Sequence, residues 1–591
     1  MQTASHRIAT RVEPRCRAAS RLRLADRPPG LPPERRTIRR RPMPAPEIRA
    51  AEPPAPADSP GPARRRPASP SPWGRGGAAD MPTDDALRHA SDTSSGMSFQ
   101  SSSARAPAPS PSTRAVTEHT GASFFDRDEV FRERGIEDVT RTVMATRSEY
   151  GDPPPRWWLN LGSISTAALL PAYTDWLRSR DAQLVVYCPV LCQAALFAAL
   201  RLGVPAVSLL TAGGPGYFDA AIASTAGAEA VRGVAAGLVE AVKEVVPNAA
   251  AIESIRSQLA MPGLTLNTAE PLCRDYYAGA NLVSTTEELA DPMCPADEEY
   301  YRSAGKRFFY VGPLLDATGA KRSQPGKADQ EQRDELMRRV EAAAAGGRPV
   351  VYVSMGTVLT SEDQEHGWGA TDGSGLTGQQ LCRSVYRAVF EELGASEGSA
   401  EADSPLIVVS LGPQPAALAG VPTPKNAVCA ASVPQVDLLR AARPALFVTN
   451  GGQNSLMESM AVGTPVLVCP GFGDQPANAA KVSKRGWGAK VDRPPPAPEA
   501  PAAAADGGED AGAAAAAAYT AKVRSGVRAV LDGPQFAAKA RLIAAGLERA
   551  EGADGALRIL TEAAAAGAWA KRVGTNVGLR GQPGSAQMQM L

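Results

Sequence analysis

Residues 432–475, SVPQVDLLRAARPALFVTNGGQNSLMESMAVGTPVLVCPGFGDQ, gather more polar groups suited to one ligand than any other segment of the chain. Ala445 to Thr449 is a short apolar run that suits a buried parallel strand. It breaks at Asn450-Gly451-Gly452, where glycine lets the backbone take unusual dihedrals and approach a ligand closely. A helix starts near Asn454-Ser455 and runs through LMESMAV, Gly463 suits its end, and TPVLVCP is the next strand. A strand, a glycine turn and a helix N-terminus present free N–H groups and a positive dipole end, which suits a phosphate. Ser455 adds a hydroxyl, and Glu458, one turn into the helix, can accept hydrogen bonds from a ribose diol. Asp474-Gln475, beyond the next strand, offer acceptor and amide groups for sugar hydroxyls. The chemistry is that of a nucleotide-sugar site, although a two-glycine turn alone fits an ordinary βαβ unit equally well.

The order and spacing of these groups resemble the donor-site signature of the family-1 UDP-dependent glycosyltransferases. That signature reads W-x-P-Q, then H-x-G-x-N-S-x-x-E, then D-Q at the end of forty-four residues, and Pro434-Gln435, Gly452, Asn454-Ser455, Glu458 and Asp474-Gln475 fall in its register. The flanking GDQPANAAKVSKRGWG, Gly473 to Gly488, looks like the macrolide-type branch. The resemblance implies a GT-B fold, two Rossmann-like α/β domains facing across a cleft, with the acceptor in the first and the UDP-sugar in the second. It implies donor contacts from Gly356, Thr357, Val433, Gln435, Asn450, Gly451, Gly452, Asn454, Ser455, Glu458, Asp474 and Gln475. No metal and no cofactor is implied, the UDP-sugar being a co-substrate; Gln475 points to UDP-glucose. Two positions depart from the signature: Ser432 stands where Trp is usual, and Asn450 where His is usual. An Asn amide can donate but carries no charge, so weaker donor binding than in a His-bearing relative is expected.

The flanking segments supply the elements. Arg348 to Met355 reads as a strand ending at Gly356-Thr357, the second loop expected at the diphosphate. Leu381, Val385, Val389 and Leu393 mark one apolar helix face, and strands follow at Leu406 to Leu411 and around Ala427 to Ala430. Upstream, LVVYC (184–188), AALFAALRLG, VPAVSLL (204–210) and FFYVGPL (308–314) repeat the β–α alternation. The domain reading is 116–314 for an incomplete N-terminal acceptor domain, 315–347 for a linker and 348–570 for the donor domain. Within the last, 493–518 reads as a floppy low-complexity insertion, and 571–591 as a loose tail.

No catalytic residue is assigned. Transfer with inversion needs a base for the acceptor hydroxyl, and the resemblance implies a His after the first strand with an Asp to orient it. The chain's four histidines, His6, His89, His119 and His366, lie in no such setting, and Cys188 stands at the Asp position. His119 precedes GASFF, which reads as a later strand, so the first strand belongs upstream. There, residues 1–115 are rich in Arg, Pro, Ser and Ala and read as disordered, as if the true first strands had been replaced. The expected activity is therefore transfer of a hexose to a hydroxyl of a small lipophilic acceptor, inverting and metal-independent. The alternative is a catalytically impaired pseudoenzyme that binds UDP-sugar or a partner without turnover; a sugar-nucleotide epimerase fits the forty-four-residue register less well.

Composition agrees with this. The 591 residues suffice for two domains plus unstructured additions, and a net charge of +1 suggests neither nucleic acid nor an anionic membrane as partner. No apolar run of membrane-spanning length is present. The eight cysteines lack metal-ligand spacing, and Cys188, Cys429 and Cys469 fall in expected strands as buried free thiols. A cytoplasmic protein is expected, with organellar targeting by the Arg-rich tail left open. Asp126-Arg127-Asp128 has the form of a D-x-D metal motif but reads as incidental, and Trp157-Trp158 and Tyr217-Phe218 read as core.

Overall fold

The computed structural model describes residues 154–227, 229–264, 266, 276–315, 327–363, 366–371, 375–396, 398, 400–495 and 508–572, with Phe125, Glu129 and Arg132. The tail 1–115, the histidines at 6, 89 and 119, the D-x-D at 126–128 and residues 573–591 lie outside the described residues. So does most of GASFF; Phe125 is in no strand, and its ring stacks on Tyr173 at 4.8 Å.

Two parallel sheets form. The first takes β1 (Val185–Tyr187), β2 (Ala206–Leu210), β3 (Ala280–Val283) and β4 (Arg307–Tyr310) in sequence order. Helices α1 (Pro154–Ser179), α2 (Gln193–Leu202), α3 (Tyr217–Ala226), α4 (Ala230–Glu244), α5 (Val246–Leu259) and α6 (Pro295–Ser303) accompany it. The second sheet holds β5 (Val350–Ser354), β6 (Leu406–Ser410), β7 (Ala427–Ala430), β8 (Leu446–Thr449), β9 (Val466–Val468) and β10 (Gly488–Lys490). Its order is β10-β9-β8-β5-β6-β7, so the chain runs outward in one direction from β5, returns, and runs outward in the other from β8. This is the doubly wound arrangement, and its reversal point lies between β5 and β8, which pair in parallel from Val351↔Leu446 to Ser354↔Thr449. These strands are apolar throughout because helices cover both sheet faces: Val351, Val353, Phe447 and Val448 are fully buried.

The helices on this second sheet are α7 (Lys327–Ala345), α8 (Gly378–Leu393), α9 (Gln435–Ala442), α10 (Gln453–Ala461), α11 (Gln475–Arg485), α12 (Gly508–Asp532) and α13 (Pro534–Leu547). On α8, the expected face buries Leu381, Val385 and Val389, and the Thr377–Gln380 capping box fixes its start.

Three domain expectations are corrected. The segment read as a linker, 315–347, contains α7, whose Leu336, Val340 and Ala343 enter the core beneath β5 and β6. The segment read as a floppy insertion, 493–518, is helical from Gly508, because alanine, the best helix former, extends α12 inward from Tyr519, Val523 and Val527, which are buried against α8. The last helix, α14 (Gly552–Arg572), does not close the second domain: Ala556, Ile559 and Ala563 pack on Val207 and Leu282 of the first sheet and on Val311, just past β4. Tyr217 and Phe218 pack against the first domain's core, as expected.

Candidate functional site

The loops after β5 and β8 leave the sheet side by side, because those strands are neighbours at the reversal point. Gly356, in the first loop, has φ +77°, and a Cβ there would lie 2.6 Å from Asn450 Nδ2 in the second. Only glycine lets the two loops approach this closely. Gly451 has φ +84°, and a Cβ would meet Val468 Cγ1 at 2.4 Å, so the turn is pressed onto β9. Asn450 is nearly buried, with its Oδ1 3.4 Å from the Thr449 hydroxyl.

Gly452 caps α10, which begins at Gln453. The N–H groups of a helix's first turn have no partner within the helix, and those of 452–455 stand beside Asn450. Asn454 and Thr357 are exposed, Gly452 and Ser455 half-buried, so the turn opens to solvent at one side. Gln435, the first residue of α9, ties the next part together. Its amide nitrogen donates to Ser455 Oγ at 3.0 Å and to Glu458 Oε2 at 2.5 Å, while its oxygen accepts from the Tyr352 hydroxyl at 3.0 Å. Tyr352 is itself fixed by stacking on Phe447 at 4.7 Å. Val433, 9% exposed, packs in the apolar core.

Beyond β9, Asp474 caps α11. Its carboxylate accepts from Asn478 Nδ2 at 2.9 Å, and the same amide donates to the Gly451 carbonyl at 3.0 Å. Asn478 is thus a site residue the sequence reading missed; its place one turn after Asp474 was the available signal. Burial pushes the Asp474 carboxyl up, against the pull of the Asn478 hydrogen bond and the Lys481 charge. Gln475 is buried, and its oxygen accepts from the N–H groups of Gly471 and Phe472, at 2.9 and 3.2 Å. That oxygen therefore shapes the 471–474 loop, which leaves the amide nitrogen as the group of Gln475 suited to a sugar hydroxyl.

Among the described residues His366 is the sole histidine. Its ring stacks on Phe472, centroids 4.3 Å apart, beside the Asp474 loop and on the second domain. Cys188 follows β1, half-buried. Cys469 is buried, and Cys429 is half-buried in β7. The side chains of Trp157 and Trp158 lie outside the described residues. Among the described residues, Asp219, Cys294 and Asp297 bring ligand atoms within 4.8 Å of one another, on the first domain and apart from this site. No helix of the described residues is long and apolar enough to cross a membrane.

Residues 399–494, which include the whole of this turn, match the family described as UDP-glucoronosyl and UDP-glucosyl transferase. The chain is 43% identical over 74 residues to UDP-glucuronosyltransferase 3A2 of Homo sapiens, covering 12% of this chain and 14% of that protein. It is 28% identical over 227 residues to UDP-glycosyltransferase CGT of Oryza sativa subsp. indica, covering 37% of this chain and 42% of the relative. The chain thus spans less than half the length of these curated relatives. The crystal structure of the glycotransferase of kitacinnamycin aligns over 70% of this chain and 82% of its own, at 19% identity and a TM-score of 0.42.

Proposed function

We propose that this chain, which belongs through residues 399–494 to the UDP-glycosyltransferase family, binds a UDP-sugar and transfers its hexose to a hydroxyl of a small lipophilic acceptor. The observation that carries the reading is the meeting of Gly356 with Asn450 at the reversal point, beside the N-terminus of α10. There the N–H groups of 452–455, the helix dipole and the Asn450 amide suit a diphosphate. Glu458, held by Gln435, accepts from the ribose diol, and Asp474 with the Gln475 amide nitrogen takes the sugar hydroxyls. In the reaction, the acceptor oxygen attacks the anomeric carbon and loses its proton to a base. The bond from that carbon to the diphosphate breaks, and its electron pair leaves on the UDP. N–H groups already aimed at the diphosphate stabilise the growing charge without reorganisation. This route inverts the anomeric centre and uses no metal. UDP-glucose is the proposed donor, from Gln475.

A second reading, donor binding without turnover, is favoured by one observation. The described histidine, His366, lies on the donor domain against Phe472, while Cys188 stands where the resemblance implies an Asp. Calorimetry with UDP tests donor binding, which both readings require. Incubation with UDP-glucose and a flavonoid, sterol and macrolide panel, followed by chromatography, separates the two. A glycosylated product supports transfer; UDP binding with neither product nor UDP release supports the second reading.

A further inference from the structure

Asp474, Asn478 and Lys481 are spaced i, i+4, i+7 and so share one face of α11. That face is a polar seam. It starts at the Gly451 carbonyl, passes through Asn478 to Asp474, and ends at Lys481, whose Nζ lies 2.9 Å from Asp291 Oδ1. Both members of this ion pair are deeply buried, with side-chain exposures of 10% and 9%. Asp291 belongs to the first domain, in the stretch that follows β3. Its N–H donates to the Gly213 carbonyl at 2.6 Å, in the loop after β2. A Cβ on Gly213 would stand 2.2 Å from Asp291 Oδ2 and 2.8 Å from Lys481 Nζ, so this position must stay bare for the pair to form.

Two charges withdrawn from water gain little net stability from each other, so stability is a weak explanation for such a pair. Its position supplies a better one. We propose that Lys481, held by Asp291 of the other domain, is a positioning residue for the sugar half of the donor, pinning α11 and with it the Asp474 carboxylate where it can accept from sugar hydroxyls. This rests on the donor-site reading above. Lys481 acts through Asp474 along the shared face of α11, where Asn478 joins Asp474 to the glycine turn. The first domain thereby bears on sugar recognition through Gly213 and Asp291, with no need to touch the nucleotide.

The test is calorimetry on the full chain with two probes, UDP and UDP-glucose. Lys481→Met should lower the ratio of UDP-glucose to UDP affinity by about tenfold, the order of loss expected when a group that contacts the ligand is slightly misplaced. UDP alone should bind within about twofold of the unaltered chain, and Lys481→Arg should restore the ratio. Should Lys481→Met fail to fold with Asp291 stranded, the double variant Lys481→Met/Asp291→Leu removes both buried charges and should show the same loss. An unchanged ratio, or equal weakening of both probes, overturns the proposal and leaves the pair a structural tie. Failure of the unaltered chain to bind UDP overturns the donor-site reading itself, a result distinct from an unchanged ratio.

Discussion

The Asn478 amide donates to the Gly451 carbonyl at 3.0 Å, so the helix that begins at Asp474 also braces the glycine turn. Because the same nitrogen reaches Asp474 at 2.9 Å, one buried group sets the distance between the two halves of the site. Asn478→Ala should cost about 1–3 kcal/mol by stranding the Gly451 carbonyl and opening a small void. Denaturant melts should show the loss, and calorimetry should show UDP-glucose weakened more than UDP.

Gly356→Ala tests the contact between the loops after β5 and β8. Its Cβ cannot occupy a point 2.6 Å from Asn450 Nδ2, and the left-handed backbone adds about 1 kcal/mol of strain. UDP affinity should fall by an order of magnitude or more, and Gly356→Ala/Asn450→Gly should recover part of it. Equal UDP binding by wild type and Gly356→Ala would remove the diphosphate from this turn.

Asn450→His probes the departure from the signature directly. An imidazole brings a donor that becomes cationic below about pH 6.5. UDP should bind several-fold more tightly, the gain growing from pH 8 to pH 6. An unchanged dissociation constant would show that residue 450 does not reach the diphosphate.

Asp474 predicts a trade between stability and binding. Burial raises its carboxyl above the usual carboxylate value, so the fold favours the protonated form. The stability this group contributes is present below its unfolded value and lost as pH rises through the raised folded one. Asp474→Asn should therefore raise Tm at pH 7, with the difference closing toward pH 4, while UDP-glucose affinity falls. A lower Tm for the variant at pH 7 would contradict the sign.

Thiol chemistry reports on the cores. Desolvation pushes Cys382 and Cys469 up to about 12 and Cys429 to about 11, so none carries much thiolate at pH 8. Peptide mapping after brief alkylation should find exposed Cys294 modified first, and Cys382 and Cys469 only after unfolding.

Much of the second domain was legible in the sequence. Buried parallel strands must be apolar on both faces, so VVYVS and LFVT announced β5 and β8. Leu381, Val385 and Val389 announced α8 by their spacing. What failed did so where pattern was diluted. In α7, three apolar contacts, Leu336, Val340 and Ala343, sit among charges, and a polar helix reads as a linker until a sheet lies beneath it. In α12, an alanine run reads as low complexity although alanine favours helix.

The chain alone determined the turn. Asn450, Gly451, Gly452, Ser455 and Glu458 lie within one βαβ unit, with Asp474 just beyond it, and local spacing sets which groups meet. Only the tertiary structure decided what stands around them: Gly356 against Asn450, Gln435 between Ser455 and Glu458, and Asp291 of the other domain against Lys481. Those contacts join residues far apart in the chain, through strand order and domain packing, and neither leaves a period in the sequence to be read.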